Sequence, residues 1–102
     1  MRIIKRATLA AYWQRNPQAQ SGLLYWHKLA RKARWACLQD VRATFPHADD
    51  VPVASGRSVV VFNIAGNKYR LITAIHYNRH LAFALMVLTH AEYDKEKWKD
   101  LL

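Results

Sequence analysis

The chain has 102 residues, a length that accommodates one domain and leaves no room for a second. Its 52% hydrophobic and 23% charged residues supply a real core and exclude disorder. Sixteen Lys and Arg against seven Asp and Glu, a net charge of +9, point to a polyanionic partner, and the one cysteine, Cys37, excludes a disulfide framework and a multi-cysteine zinc site.

In chain order, Arg2 to Lys5 forms a short candidate strand. Basic residues are followed only by Ala7 to Trp13 before Gln14 and Arg15 interrupt, which is not a secretory leader. Nor does any stretch reach the roughly 18 apolar residues of a membrane span, so a soluble cytoplasmic protein without membrane partners is expected. Leu9, Tyr12 and Trp13 recur at helical spacing until Asn16-Pro17 stops the helix. Leu23, Trp26, Ala30, Ala33 and Cys37 form one apolar stripe of a longer helix, with Lys28, Arg31, Lys32 and Arg34 off the stripe as its wet basic face. Met1 to Gln39 contains eight basic residues and no acid, and Val51 to Ala91 contains four and again no acid. Two such stretches suit an anion-binding surface as well as they suit solvated faces.

Phe45-Pro46 opens a turn-rich passage through Asp49, Asp50, Pro52 and Gly56. Three β-branched and aromatic segments follow, Val59 to Ile64, Tyr69 to Tyr77 and Leu81 to Leu88, and a helix from about His90 closes the chain. The order predicts an α+β fold, with helices packed on a small antiparallel sheet.

A two-residue turn at Gly66-Asn67 sets Asn63 opposite Arg70 and Val61 opposite Ile72. A second at Asn78-Arg79 sets Ile72 opposite Leu85 and Arg70 opposite Val87. One sheet face then carries Asn63, Arg70, Ile72, Ala74 and His76, while the bulkier Phe62, Ile64, Tyr69, Leu71, Thr73, Ile75 and Tyr77 form the core side. Arg70 is anomalous in an apolar strand: either an ordinary exposed arginine or a phosphate ligand with a bidentate fork. Thr89-His90-Ala91-Glu92 is a capping box with His90 at the first helical position and Tyr93 three residues on. Tyr93 can simply pack in a hydrophobic staple with Leu88; alternatively, the helix start suits a neutral His90 acting as general base. His27, His47, His76 and His80 lack paired metal-ligand spacing, Gly66 is a turn glycine rather than a phosphate loop, and Trp13, Trp26 and Trp35 fit a core.

The run Val59 to Leu71 (VVVFNIAGNKYRL), followed by Thr89 to Asp94 (THAEYD), closely resembles the HigB family of bacterial toxins within the wider RelE/ParE group. The Asn16-Pro17-Gln18-Ala19 junction and the Phe45-Pro46-His47-Ala48-Asp49 turn are also similar to that family, so the likeness covers most of the chain. It implies one RelE-like domain over residues 1–102: two N-terminal helices, a small antiparallel sheet and a short C-terminal helix. It further implies a toxin of a type II toxin–antitoxin pair. Such a toxin cleaves mRNA, often on the ribosome, without a metal or small-molecule cofactor, and a HigA-type antitoxin neutralises it.

In the implied reaction the RNA 2′-hydroxyl attacks the adjacent phosphate and leaves a cyclic phosphate. Arg70 would stabilise developing phosphate charge, His90 would exchange protons and Tyr93 would orient or stack the nucleotide. Asn63, Asn67 and Lys68 would hold RNA near the hairpin, and Lys28, Arg31 and Lys32 would bind its backbone. The family that the chain resembles usually carries a lysine where this chain has Ala74, an arginine at Leu85 and a glycine at Leu88. A catalytically weakened relative that acts mainly by binding antitoxin or ribosome is therefore the competing expectation. A ParE-type gyrase inhibitor is disfavoured by the Thr89 to Asp94 motif, and a generic DNA-binding module by the lack of a recognition-helix pattern.

Overall fold

A computed structural model describes residues 1–102. Arg2–Ile4 is strand β1, Arg6–Arg15 helix α1, Gln20–Lys32 helix α2 and Leu38–Thr44 helix α3. Asp49–Pro52 (β2), Ser58–Ile64 (β3), Tyr69–His76 (β4) and Leu81–Thr89 (β5) complete the sheet, and His90–Asp94 is the short helix α4. The α+β class is as expected. The five strands lie in the order β1-β5-β4-β3-β2, with β1 parallel to β5 and every other pair antiparallel. The sheet is therefore mixed and two strands larger than the expected meander.

The larger core lies on the predicted side. Leu9 of α1 and Leu23, Trp26 and Ala30 of α2 meet Val60, Phe62, Ile64, Tyr69, Leu71, Ala82, Ala84 and Val87 of the sheet. The Trp26 and Trp35 rings lie 5.3 and 6.0 Å from Phe62. The opposite face, which carries Arg70, has a core of its own: Val51, Val53, Val59, Val61, Ile72 and Trp98, with Leu85, Met86, Leu88 and Tyr93 packed against it. Trp98 reaches it because the chain turns at Glu96 (φ 60°) into a 3-10 segment after α4.

Three expectations are corrected. The long helix ends at Lys32, not near Cys37: Ala33 is extended, and the α-amino group of Met1 hydrogen-bonds the carbonyls of Ala30, Arg31 and Ala33. With those carbonyls taken, the helix has no further turn to build, and Cys37 is exposed ahead of α3. The passage after Phe45-Pro46 is not all turn, because Asp49–Pro52 pairs with Ser58–Val61 as a short edge strand. Its aspartates and proline suit an edge and hide its strand character. The β4–β5 connection takes four residues, Tyr77 to His80, with His80 at φ 53°.

The β3–β4 turn is as predicted: Gly66 takes φ 70°, Lys68 N–H donates to the Ala65 carbonyl, and Asn63 faces Arg70. The β4–β5 register holds only near its turn. Between Ile72 and Thr73 it shifts by one, so Met86 rather than Leu85 faces Ile72, and Leu88 rather than Val87 faces Arg70. Leu85 is the extra residue of a bulge. The shift returns Val87 to the larger core and leaves Leu85, Met86 and Leu88 on the Arg70 side.

Two consequences are measurable. A Cβ on Gly22 in α2 would sit 2.8 Å from Ile64 Cγ2 and 3.0 Å from the Ala65 backbone nitrogen. Gly22→Ala is expected to destabilise the chain by about 1–3 kcal/mol in urea unfolding, because overlap with the buried Ile64 outweighs the ~1 kcal/mol gained in helix propensity. His27 titrates below its ordinary 6.5 because burial disfavours the imidazolium and Arg6 and Arg31 repel it. The unfolded chain therefore takes up this proton first as pH falls. The stability difference between the parent and His27→Gln in thermal melts should be constant above pH 6.5. It should change against the parent below that value, down to the depressed folded pKa.

Candidate active site

Arg70 sits near the start of β4 with 9% of its surface exposed. Its Nη1 donates to the carbonyls of Asn67 and Tyr69, both at 3.1 Å. No carboxylate lies in salt-bridge range of it. A buried guanidinium without a counter-ion is costly to hold, and Nε and Nη2 remain free to hold two oxygens of an oxyanion.

Tyr93 is the neighbour that Arg70 does have: the guanidinium carbon lies 5.6 Å from the ring centroid. Trp98 stacks on the same ring at 5.3 Å and 20°, and its Nε1 donates to the Tyr93 carbonyl. Tyr93 thus packs, as the staple reading expects, and also touches Arg70. Its hydroxyl is pushed above the ordinary tyrosine range, first by burial and then by the Asp49 carboxylate, against the pull of Lys99 and Arg70. It remains a neutral donor at physiological pH.

The capping box forms as predicted. Thr89 Oγ1 accepts from Glu92 N–H at 3.2 Å, and Thr89 N–H donates to Glu92 Oε1 at 2.9 Å. His90 opens α4, and its N–H donates to the Lys68 carbonyl at 3.0 Å, tying the helix to the β3–β4 turn. The imidazole and Arg70 therefore share one end of the sheet, but the imidazole partners Asp94 rather than the guanidinium. Nδ1 lies 2.8 Å from Asp94 Oδ2. With Nδ1 donating, the neutral ring carries its lone pair on Nε2, and 48% of the side chain faces solvent. The sequence signal for Asp94 is its i,i+4 spacing from His90 on one helix face.

Beside the turn, His47, Asn63, Gly66 and Asn67 line an open cleft of about 500 Å³. Asn63 Nδ2 reaches Asn67 Oδ1 at 3.4 Å, so two expected RNA contacts do converge, and Lys68 is exposed next to them. His47 joins them only because the loop after α3 folds against the hairpin, a juxtaposition without a local sequence signal. No group of three His, Cys, Asp or Glu side chains is arranged to hold a metal ion.

Residues 19–96 match the family model of HigB_toxin, described as the RelE-like toxic component of a toxin–antitoxin system. The chain belongs to the HigB toxin family. The match takes in the strands, turn and helix that carry Arg70, His90 and Tyr93. The chain is also 24% identical over 94 residues to the mRNA interferase toxin HigB of Escherichia coli (strain K12), covering 92% of this chain and 88% of that protein. The mRNA interferases HigB of Escherichia coli O157:H7 and Shigella flexneri match to the same extent.

Around Arg70 the same sheet face is largely apolar. Ala74 lies two pairs along β4 from Ile72, and Leu85 packs on the small core beneath that face. Leu88, directly opposite Arg70, also packs there. Of the expected backbone contacts, Arg31 and Lys32 lie away from this end, in a cleft with Arg2 and Arg79, while Lys28 is exposed on α2 and does not line that cleft. No helix is long and apolar enough to cross a membrane.

Proposed function

We propose that residues 1–102 act as one toxin domain that cleaves mRNA on the ribosome without a metal ion and is neutralised by a HigA-type antitoxin. The observation that carries this reading is the buried Arg70 guanidinium with no counter-ion, set beside Tyr93 at the turn that anchors His90. A scissile phosphate supplies the missing negative charge.

In the proposed reaction, His90 Nε2 takes the proton of the RNA 2′-hydroxyl as the 2′-oxygen bonds to phosphorus. The bond to the 5′-oxygen breaks, that oxygen takes a proton from water at the solvent-exposed site, and a 2′,3′-cyclic phosphate remains. Arg70 holds the non-bridging oxygens as their charge develops. The Tyr93 ring is already engaged by Trp98 and Arg70, so its role is assigned to the hydroxyl, which orients the phosphate. Asn63, Asn67 and Lys68 hold the flanking nucleotide in the adjoining cleft.

The apolar Leu85 and Ala74 favour one second reading, a slow enzyme that acts mainly by occupying ribosome or antitoxin. Purified chain incubated with an mRNA, free and on ribosomes, in the presence of EDTA separates the two. Fragments ending in cyclic phosphate, produced faster on ribosomes, are expected. Intact mRNA that nonetheless co-sediments with chain-bound ribosomes would establish the second reading instead.

A further inference from the structure

A cleft of about 390 Å³ lies at the end of the sheet remote from Arg70. Arg2 of β1, Arg31 and Lys32 at the end of α2, Arg34 just beyond it, and Arg79 and His80 of the β4–β5 connection line it. No carboxylate lines it, and none of these side chains takes part in an ion pair. An ordinary account of basic residues at a helix end is that they offset its negative pole. Here the α-amino group of Met1 already occupies the Ala30, Arg31 and Ala33 carbonyls. The cations are brought together from three separate segments, against mutual repulsion, with no protein group to neutralise them.

We infer that this cleft is a second anion-binding site, which takes the phosphate backbone of RNA. Four guanidinium groups around one concavity suit phosphate oxygens, which they contact in bidentate fashion. An acidic protein surface fits less well, since protein interfaces are anchored by buried aromatic side chains and the cleft offers none. From Arg70 to His76 the β4 strand spans about 20 Å, and Arg79 and His80 lie beyond its end. Two anchoring points at opposite ends of the sheet fix both the position and the direction of an RNA strand across the molecule, which one phosphate contact cannot do. The inference rests on RNA being the partner, as proposed above, but it concerns binding and not cleavage.

The test uses the whole chain and a fluorescent 20-nucleotide 2′-O-methyl RNA, which has no free 2′-hydroxyl and cannot be cut. Dissociation constants are measured over a range of salt for the parent, for Arg31→Gln/Arg34→Gln/Arg79→Gln, and for the matching triple lysine variant, each checked by thermal melting. These arginines are exposed, so the fold should persist. The glutamine variant is expected to bind about 10–100-fold more weakly at low salt, with the salt slope reduced by about 0.7 for each phosphate it no longer neutralises. The lysine variant, which keeps the charge, is expected to retain most of the slope. Parent-like affinity and slope in the folded glutamine variant would overturn the inference. So would unchanged RNA binding accompanied by loss of binding to a poly-glutamate peptide, which would assign the cleft to an acidic protein. Failure of the parent to cut ordinary RNA, with this slope change intact, would remove the nuclease reading alone.

Discussion

Arg70→Ala is expected to lower RNA cleavage by about 10²–10³-fold, the usual cost of removing one donor from a site where charge develops in the transition state. The size of the effect follows from burial. A guanidinium held 9% exposed, with Nη1 fixed by two carbonyls, is positioned before the substrate arrives and need not reorganise during the reaction. Arg70→Lys should recover little, because an ammonium keeps the charge but not the fork. Arg70 also supports the Tyr93 ring, so the variants are compared by near-ultraviolet circular dichroism and by binding to uncleavable RNA. Folded Arg70→Ala that cuts at the parental rate would refute the assigned role.

The second large effect belongs to His90. His90→Ala should cost about 10²–10⁴-fold in kcat if the imidazole exchanges protons with the 2′-hydroxyl. Asp94→Ala is expected to cost about tenfold, a part of that effect, because losing the Nδ1 acceptor lets the ring lose its orientation and tautomer. The diagnostic result is a cycle. Asp94→Ala should lower kcat with KM unchanged in the parent, and should do nothing further in the His90→Ala background. Equal losses in both backgrounds would mean that Asp94 merely supports α4. That helix has only five residues, so the orientation of His90 depends on the capping box, the Lys68 carbonyl and Asp94 more than on any helix dipole.

What could be read from the residues divides along a physical line. The β3–β4 hairpin was legible because a glycine-first turn and strict alternation leave one register that buries Phe62, Ile64, Tyr69 and Leu71 together. The capping box was legible because its two reciprocal hydrogen bonds lie within four consecutive residues. The β1–β5 pairing was not, since a three-residue parallel strand owes its existence to a partner about 80 residues away. The end of α2 was likewise set from outside, by the amino group of Met1. At the site, the motif residues are legible one by one, but their sequence does not announce that His90 pairs with Asp94 or that His47 approaches Asn63. The second apolar cluster under Arg70 was hidden as well, because Trp98 reaches it only after the left-handed residue Glu96 redirects the chain.

The supernumerary Leu85 has a wider effect than its own packing. By adding one residue to β5 alone, it reverses the parity of everything downstream: without it, Val87 would point toward Arg70, and Leu88 and the start of α4 would swing to the opposite side of the sheet. Deleting any one residue from Ala84 to Met86 should therefore leave a hairpin that still pairs near its tip while separating the arginine from the histidine. Substitutions at that stretch tune the molecule; changes of length there decide whether its two halves share a workplace.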